Sequence, residues 1–373
     1  MRDRAEIAIV GAGMAGASLA AELAGHVSVM LIEAESQPGY HATGRSAAFW
    51  SEGYGGPEVQ PLTSASGTFL ASPPADFADL GFLNRRGAIT LADAPSLPRL
   101  EAMARDFAGS PVTLERLCRG ALEEHVPGLR PGWDWALYEA GCADIDVARL
   151  HQAYLKHARK RGARLHRDAR IGRIARRAGG WLLAARDGEF AADILVDAAG
   201  AWADDIAAMA DVAPLGIRPY RRTLVQLVTD PPPPSAMPLV IDAGGRFYFK
   251  PEAGGRLWLS PHDESPCEPS DCAPEEIDVA RAIAGLQSAV DWRIGRIEAR
   301  WAGLRSFAPD RLPIFGFAPD APGFFWCAGQ GGFGIQTAPA AAKLAAALLL
   351  GRHPEPMVEG IDPSPYAAER FSA

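Results

Sequence analysis

Short apolar runs alternate with alanine-rich segments at the start of this chain. Residues 7–10 form an apolar run that leads into a glycine-rich turn, and residues 14–24 are apolar enough to form a buried helix. Residues 27–32 follow with the β-branched and large apolar side chains that favour a strand. The order of strand, tight turn, helix and strand predicts a βαβ unit.

The middle of the chain has the spacing of a further helix and a set of strands. Apolar residues recur with helical spacing between Asp146, a suitable N-cap, and Gly162, a suitable residue just past a helix end. Short apolar runs separated by glycines then predict a β-meander followed by a buried parallel strand. Later runs predict an antiparallel sheet, a helix over 274–289 and a core helix over 338–350. The predicted strands cover residues 169–175, 181–185, 193–197, 224–229, 239–242, 247–250 and 257–260.

These elements predict two interleaved domains in an α/β fold. A chain of 373 residues, 48% of them hydrophobic, exceeds the usual size of one domain and can bury a large core. We expect a Rossmann-like nucleotide-binding domain and a second, α+β substrate domain built on the antiparallel sheet. The first comprises residues 1–50, 141–215 and 301–373, and the second comprises residues 51–140 and 216–300.

The first glycine-rich turn has the spacing of a dinucleotide-binding loop. Gly11 permits the sharp turn, Gly13 lets the backbone approach a pyrophosphate, and Gly16 lets the helix pack closely on the strand. The helix around Ala15 offers free N–H groups and the positive end of its dipole to phosphates. Glu33, about 20 residues further on, would accept hydrogen bonds from a ribose and would disfavour the 2′-phosphate of NADP.

A second glycine-rich turn lies near the other end of the chain, at residues 329–334. It precedes the predicted helix over 338–350, whose N-terminus would stabilise the negative charge that a flavin gains on reduction. Two such turns at opposite ends of the chain indicate one extended flavin dinucleotide. An NAD-dependent dehydrogenase would explain the first turn but not the second.

Charge and cysteine content narrow the class of protein further. The net charge of −8 gives no basic surface for a nucleic acid. The five cysteines form no CxxC pair and the histidines show no metal-ligand spacing, so we expect reduced thiols, no metal and a cytoplasmic protein. The most apolar segment, 338–350, contains Lys343 and is shorter than a bilayer span. Because the apolar N-terminal segment is part of the βαβ unit, we also expect no signal peptide. We therefore expect no transmembrane segment.

Seven sequence blocks stand in one order along almost the whole chain. They are GYHATGRSAAFW at 39–50, GCADIDVARLHQAYL at 141–155, AAGAWAD at 198–204, PYRR at 219–222, FYFKP at 247–251, WAGLRSF at 301–307 and FFWCAGQGGFGIQT at 324–337. In sequence and order they resemble the FAD-dependent D-amino acid oxidase superfamily, which includes glycine oxidases, sarcosine oxidases and D-amino acid dehydrogenases. Within it the chain most resembles the D-arginine dehydrogenases.

The resemblance implies FAD extended along the nucleotide-binding domain, with its ring against the second sheet. Arg45 and its small neighbours would surround the pyrophosphate, and the backbone of Ile171 would contact the adenine. Sarcosine oxidases attach FAD through a cysteine near the stretch that here is 301–304, which has none, so we expect non-covalent FAD. The residues expected to bind FAD are Gly11, Gly13, Ala15, Gly16, Glu33, Arg45, Ser46, Ala47, Ala48, Ile171, Ala199, Gly200, Trp202, Gly303, Gly331, Gly332, Phe333, Gly334, Ile335 and Gln336.

Two arginines and two tyrosines from four distant segments are the candidate catalytic residues. By the resemblance, Arg222 and Arg305 hold the α-carboxylate of an amino acid, and Tyr54 and Tyr248 orient it. Ser51, the carbonyl of Gly332 and the amide of Gln336 are further expected substrate contacts, the last two near the amino group. Because no general base stands out, the nitrogen lone pair of a neutral amine would drive hydride from Cα to flavin N5. The D configuration of the substrate is implied by the resemblance alone.

Three departures from the D-arginine dehydrogenases concern the side chain of the substrate. Gly87 stands where those enzymes carry an acidic residue, and Phe49 stands in place of a histidine. Leu239 and Ile241 would form an apolar wall. We therefore predict neutral, apolar or aromatic D-amino acids, although Arg85 and Arg86 leave an acidic side chain open.

Other reactions remain compatible with the same residues. We call Arg222, Arg305, Tyr54 and Tyr248 the clamp. It would also serve a flavoenzyme that oxidises glycine, sarcosine, proline or another secondary amine, or a 2-hydroxy acid. A flavin-binding protein without catalysis would need the nucleotide fold but not the clamp. The electron acceptor, whether oxygen, a quinone or another molecule, is left open by the sequence, as is the oligomeric state.

Overall fold

Two large sheets and one small sheet organise the chain, of which the computed structural model describes residues 3–371. The helices are α1 (Met14–Leu23), α2 (Gln60–Ala71), α3 (Leu97–Asp106), α4 (Arg119–His125), α5 (Val147–Lys160), α6 (Ala203–Met209), α7 (Glu276–Ala289) and α8 (Ala338–Leu350). The strands of the first half are β1 (Asp3–Val10), β2 (Val29–Ile32), β3 (Phe49–Trp50), β4 (Leu83–Arg85), β5 (Ala88–Ala92), β6 (Glu115–Leu117), β7 (Trp135–Glu139), β8 (Ala143–Ile145), β9 (Arg164–His166) and β10 (Ile171–Arg177). Those of the second half are β11 (Gly180–Ala185), β12 (Gly188–Asp197), β13 (Arg218–Asp230), β14 (Leu239–Asp242), β15 (Tyr248–Glu252), β16 (Arg256–Ser260), β17 (Ser265–Pro266), β18 (Arg293–Phe307), β19 (Ile314–Phe317) and β20 (Phe324–Ala328).

The first sheet is the predicted Rossmann-like sheet. Its strands run in the order β10-β11-β12-β1-β2-β9, with β20 beside β12 and β19 beside β20. The pairs β12–β1, β1–β2, β2–β9 and β12–β20 are parallel, whereas β10, β11 and β12 form an antiparallel meander. The predicted strand 193–197 is therefore the second half of β12 rather than a separate element. The burial of β1, β2 and β20 on both faces explains their nearly continuous apolar sequences.

Helices α1, α5 and α8 cover this sheet with one shared apolar core, which includes Leu19, Leu150, Tyr154 and Leu344. The side chain of Asp146 accepts a hydrogen bond from the amide of Arg149 (3.0 Å), which confirms the predicted N-cap of α5. Helix α8 has the predicted bounds. Local capping and an uninterrupted apolar face are sufficient to place these helices from the sequence.

The second sheet has the order β17-β13-β16-β15-β14-β5-β7-β6, with β18 along β13. It is antiparallel as predicted, except that β5 and β14 run parallel. One face carries Val225, Phe249 and Leu259, which pack against Leu286 and the rest of the apolar side of α7. We call the other one the site face; it carries Arg222, Tyr248 and Arg305. Alternation along each strand therefore separates a buried core from the face that meets the cofactor domain.

The structure shifts two predicted domain boundaries. Strand β18 is continuous from Arg293 to Phe307, so residues 301–307 belong to the second sheet, where ladder hydrogen bonds to β13 hold them. Residues 51–140 are predicted in the substrate domain, but Leu62, Phe69 and Leu70 of α2 lie in the core that α1 and α8 form. The apolar face of α2 fits that core, which is why the helix lies with the nucleotide-binding domain.

Candidate active site

A cavity of about 330 Å³ is lined by both domains. The nucleotide-binding domain contributes the turn after β1, the end of β2, residues 39–47 and the glycine-rich turn before α8. The site face contributes Arg222, Leu224, Tyr248, Gly303 and Arg305. The carboxyl ends of the parallel strands thus open onto the side chains of the second sheet, where an α/β fold of this kind binds its ligands.

Most of the residues expected to bind FAD line this cavity. They are Gly11, Gly13, Ala15, Glu33, Arg45, Ser46, Ala47, Ile171, Ala199, Gly200, Trp202, Gly303, Gly331, Gly332, Gly334 and Ile335. The exceptions are Gly16, Phe333, Ala48 and Gln336, of which the last two line a second, adjoining cavity of about 20 Å³.

Glycines in the first turn have two different tasks. A Cβ on Gly11 would lie 2.4 Å from the carbonyl oxygen of Ala198, and Gly11 has φ +98°. A Cβ on Gly16 would lie 2.0 Å from the carbonyl oxygen of Gly11, so Gly16 packs helix on strand and does not contact the cavity. A Cβ on Gly13 would meet only the hydroxyl of Thr43, at 3.3 Å. Gly13 is therefore the glycine that leaves room for a ligand.

Glu33 has free acceptor capacity where a ribose is expected. It is 8% exposed, and each carboxylate oxygen accepts one backbone N–H: Ala12 N at 2.8 Å and Glu35 N at 2.9 Å. An ionised carboxylate can accept about four hydrogen bonds, so lone pairs remain for hydroxyl groups. Sequence reasoning missed Thr43, whose hydroxyl accepts the amide of Met14 (2.9 Å) at the start of α1.

Arg45 lines the cavity, but its guanidinium is bound by the second domain. It donates to the carbonyls of Ala302 (3.0 Å) and Cys272 (3.2 Å), forms an ion pair with Asp271, and lies over the ring of Tyr40. The hydroxyl of Tyr40 also donates to Asp271 (3.1 Å). We call Tyr40, Arg45 and Asp271 the clasp, because together they join the two domains beside the cavity.

The register of the second sheet brings the clamp residues together. Arg222 pairs with Gly303 and Arg305 pairs with Tyr220, so the two arginines are diagonal neighbours on the site face. Tyr248 joins them from β15, two strands away from β13. No single segment of the sequence carries this arrangement, because it depends on which strands pair and in which register.

Arg222 has one unused donor group inside the protein. It is 4% exposed; its Nε donates to the carbonyl of Asp263 (2.7 Å) and its Nη2 to Glu264 (3.2 Å). Its Nη1 is buried and has no hydrogen-bond partner within the described residues. Burial, followed by the positive charge of Arg305, lowers the pKa of Arg222. A bound anion would supply the missing acceptor and relieve that repulsion.

Arg305 is fixed by the expected tyrosine. Its Nη1 donates to the hydroxyl of Tyr54 (2.7 Å). A Cβ on Gly332 would come within 2.8 Å of both the Arg305 Nη1 and the Tyr54 hydroxyl, so a larger residue there would displace these two groups. The ring of Phe49 packs edge-on against Tyr54 (5.1 Å between centroids) and lies near Tyr248 (6.5 Å). These contacts bring Tyr54, Tyr248 and Arg305 together, and Arg222 is the diagonal neighbour of Arg305, but Tyr54 itself lines neither cavity.

Four of the expected substrate contacts have other partners. Ser51 donates its hydroxyl to Glu139 (2.7 Å) and its amide to Gln336 (3.2 Å). Gln336 is 2% exposed, and its Nε2 donates to the Tyr54 carbonyl and to the hydroxyl of Thr63, both at 3.0 Å. Both N–H groups of this amide are thus used inside the protein, and neither is free for a substrate. Leu239 and Ile241 do form an apolar cluster with Phe49 and Tyr248, but they line neither cavity.

Gly87 also lies outside the two cavities. It has φ +80°, and a Cβ there would come within 2.7 Å of the ring and hydroxyl of Tyr138. The room that an acidic side chain at this position would need is thus occupied by Tyr138. Of the two neighbouring arginines, Arg86 is bound by Asp144 (2.6 Å), and neither Arg85 nor Arg86 lines a cavity.

Two residues near the clamp were missed by sequence reasoning. His262 lies edge-on to Tyr248 (5.5 Å between centroids), has φ +55°, and leaves its buried Nδ1 without a partner within the described residues. Burial, together with the positive charges of Arg222 and Arg305, lowers its pKa well below the ordinary range, so it is neutral. Glu139 is a buried carboxylate beneath Tyr54. Neither belongs to a motif, and only the folded chain brings them to the site.

A family model described as FAD-dependent oxidoreductase matches residues 6–348. The chain belongs to this family. A glycine oxidase of Pseudomonas aeruginosa is 28% identical over 260 residues, which span 65% of this chain and 64% of that protein, slightly less than two thirds of its length. A glycine oxidase of Geobacillus kaustophilus is 26% identical over 94% of each chain.

Solved structures agree on the fold of this flavin-dependent family member. The crystal structure of glycine oxidase from Geobacillus kaustophilus superposes with a TM-score of 0.85 at 24% identity and covers 98% of both chains. That of L-proline dehydrogenase from P. horikoshii has a TM-score of 0.82 at 21% identity, over 96% of both chains. These likenesses extend over both domains and show that the chain shares the fold of these two proteins.

The residues present fit FAD as the cofactor. Glu33 retains acceptors for a ribose, and the turn at Gly13 leaves room beside the start of α1. Just before α8, Gly331, Gly332, Gly334 and Ile335 line the cavity. Among residues 3–371, no group of histidine, cysteine or acidic side chains is arranged to hold a metal ion. Over the same residues, no helix is both long and apolar enough to cross a membrane.

Proposed function

We propose that this chain oxidises the Cα–N bond of a small neutral α-amino acid, with D-amino acids as the first candidates, to an imino acid. The observation that supports this most is the pair of arginines on the site face, of which Arg222 is buried and has a donor without a partner among residues 3–371. An α-carboxylate is a planar, bidentate acceptor that suits two guanidinium groups. The imino acid would hydrolyse in water to a 2-oxo acid and ammonia.

The clamp would act by alignment. Arg222 and Arg305 would hold the carboxylate, and Tyr54 would keep the Arg305 guanidinium in one orientation. With the amine neutral, its lone pair forms the C=N bond as hydride leaves Cα, and the resulting iminium group releases one of its two N–H protons to water to give the imino acid. Bound FAD supplies the two-electron acceptor for that hydride. A fixed carboxylate leaves the Cα–H bond few orientations, which is the main contribution that the protein can make to such a reaction.

The space around the clamp favours a small, uncharged side chain. The cavity that adjoins it beneath Phe49 is about 20 Å³ and is lined by no acidic residue. Acidic side chains that line the larger cavity, Glu33, Glu35 and Asp205, all come from the nucleotide-binding domain. A cationic substrate would thus meet no carboxylate among the lining residues of the site face.

Glycine is the second candidate substrate, together with N-methylglycine. The same small cavity supports it, and the relatives that carry the name glycine oxidase make it the natural comparison. The D configuration has a different support, namely the resemblance of the sequence blocks to D-amino acid dehydrogenases.

Anaerobic mixing with a panel of compounds tests the proposal. The panel holds glycine, sarcosine, D- and L-alanine, D- and L-phenylalanine, D-arginine and D-lactate, and the loss of visible flavin absorbance is followed. We expect fast bleaching by D-alanine or glycine and slow or no bleaching by D-arginine. Bleaching by none of the amino acids, or by D-arginine fastest, would contradict the proposal. Admission of air then shows whether oxygen reoxidises the flavin.

A further inference from the structure

Glu139 is a buried carboxylate whose hydrogen bonds all come from one short segment. It ends β7, is 5% exposed, and has no cationic partner within salt-bridge distance among residues 3–371. Its Oε2 accepts the Ser51 hydroxyl (2.7 Å) and, at a longer 3.4 Å, the amide of Gly53. Its Oε1 accepts the amide of Glu52 (2.7 Å). We call residues 51–54 the Tyr54 loop.

A buried charge without a cation is costly unless hydrogen bonds replace its water. Burial raises the pKa of Glu139, and the three donors of the Tyr54 loop lower it in part. Because all these donors come from the loop, any movement of the loop would leave the carboxylate unsatisfied. The same contact that stabilises Glu139 therefore fixes the loop.

The Tyr54 loop is held at its other end by Gln336. The Gln336 Nε2 donates to the Tyr54 carbonyl, and the Tyr54 amide donates to the Ser51 carbonyl (3.2 Å). Gly55 (φ +106°) and Gly56 (φ +87°) follow at once and offer the chain little stiffness of their own. The position of the Tyr54 hydroxyl, and with it that of the Arg305 guanidinium, thus depends on Glu139 and Gln336.

We propose that Glu139 is a positioning residue: its carboxylate holds the Tyr54 loop so that the Tyr54 hydroxyl fixes the Arg305 guanidinium for the substrate carboxylate. This rests on the proposed function, since it assigns Arg305 to a carboxylate. Glu139 itself touches neither cavity and acts only through Tyr54.

The test compares Glu139→Gln with Glu115→Gln in the FAD-loaded protein. Gln keeps the size of the side chain but replaces one of its two acceptor oxygens with a donor. Glu115 is an exposed residue of the neighbouring strand β6, opposite Tyr138, and serves as the matched control. Hydrogen exchange of the amides of residues 52–54 is measured without substrate, and the apparent Kd for acetate is taken from the flavin spectrum.

We expect Glu139→Gln to speed hydrogen exchange of the amides of residues 52–54 and to raise the apparent Kd for acetate about tenfold. An effect of this size is ordinary for residues that are in contact. Exchange elsewhere and the flavin content should stay as in Glu115→Gln. Unchanged exchange in the loop, or acetate affinity equal to that of the control, would overturn the proposal. If Glu139→Gln does not fold, Ser51→Ala removes one of the three donors and should move both readouts in the same direction.

A double variant separates positioning from a general structural role. If Glu139 acts through Tyr54, then Tyr54→Phe should raise the apparent Kd for acetate much less in the Glu139→Gln background than in the native chain. Multiplicative effects of the two changes would contradict this. Hydrogen exchange and acetate binding can be measured without turnover. If no amino acid reduced the flavin, the proposed function would be contradicted, whereas these two measurements would still decide the role of Glu139.

Discussion

The two halves of the cavity are built in opposite ways. The nucleotide half rests mainly on backbone: a turn and a helix N-terminus, joined by the Glu33 carboxylate, within residues 7–33, and further loops that include the turn before α8. The substrate half is made by side chains: Arg222, Arg305 and Tyr248 line it from three separate strands, and Tyr54 holds Arg305 from a fourth segment. In the nucleotide half, the backbone tolerates almost no substitution of its glycines. In the substrate half, the clamp depends on the register of the second sheet and on the charges of its side chains. The two halves should therefore fail differently when they are altered.

The largest effect is expected at the clamp. Arg305→Ala should retain FAD but slow anaerobic flavin reduction about 10²- to 10³-fold, the usual cost of removing one member of a buried charged contact. Arg300→Ala, an exposed arginine on the same strand, is the control and should reduce at the native rate. Equal rates in both variants would remove Arg305 from the clamp.

Gly16→Ala should damage the nucleotide half through packing. The added Cβ would lie 2.0 Å from the Gly11 carbonyl oxygen and would push α1 away from β1. This should lower the free energy of unfolding by about 3 kcal/mol and weaken the binding of FAD. Gly120→Ala provides the control, because a Cβ there has nothing within 4 Å and lies in α4, where alanine favours the helix. Denaturant unfolding and FAD titration measure both. Similar stability of the two variants would refute the packing argument.

Tyr54→Phe should have an intermediate effect. It leaves the Arg305 Nη1 without its acceptor, so flavin reduction at low substrate should fall about tenfold while FAD affinity stays unchanged. Tyr138→Phe alters a tyrosine outside both cavities and should behave as the native chain. A drop in FAD affinity with Tyr54→Phe would show that the two halves are not separable.

The smallest effect is expected at the clasp, whose ion pair is partly exposed. Asp271→Asn should speed the release of FAD about twofold, measured by flavin fluorescence, because exposed ion pairs contribute little. The Arg45 hydrogen bond lowers the pKa of Asp271, so its contribution is present at neutral pH and is lost as the pH falls through that lowered value. Release from the native chain should therefore quicken in acid, whereas release from Asp271→Asn should not. Parallel pH profiles would contradict the clasp.

The same contrast explains which features the sequence predicts. The βαβ unit, the N-cap at Asp146 and the bounds of α8 follow from short-range spacing and capping, and the structure has them. Domain boundaries at residue 300 and around α2 do not, because they depend on which surface a strand or helix finally meets.

Candidate site residues divide along the same line. Gly13 could be placed from the turn to which it belongs, and Glu33 from its position directly after β2. Gln336 and Ser51 were expected at the substrate, yet their polar groups are used to hold the Tyr54 loop. Glu139 became visible only when the fold brought it to a loop more than 80 residues away along the chain. Such a contact cannot be predicted from the spacing of residues along the sequence.

The central claim is that the clamp selects and aligns its substrate by the carboxylate. The most direct measurement is anaerobic flavin reduction by an amino acid that the panel shows to be active and by the matching amine without a carboxylate, such as methylamine for glycine. The account predicts rapid bleaching by the amino acid and almost none by the amine at equal concentration. Bleaching by the amine at the same rate would contradict it.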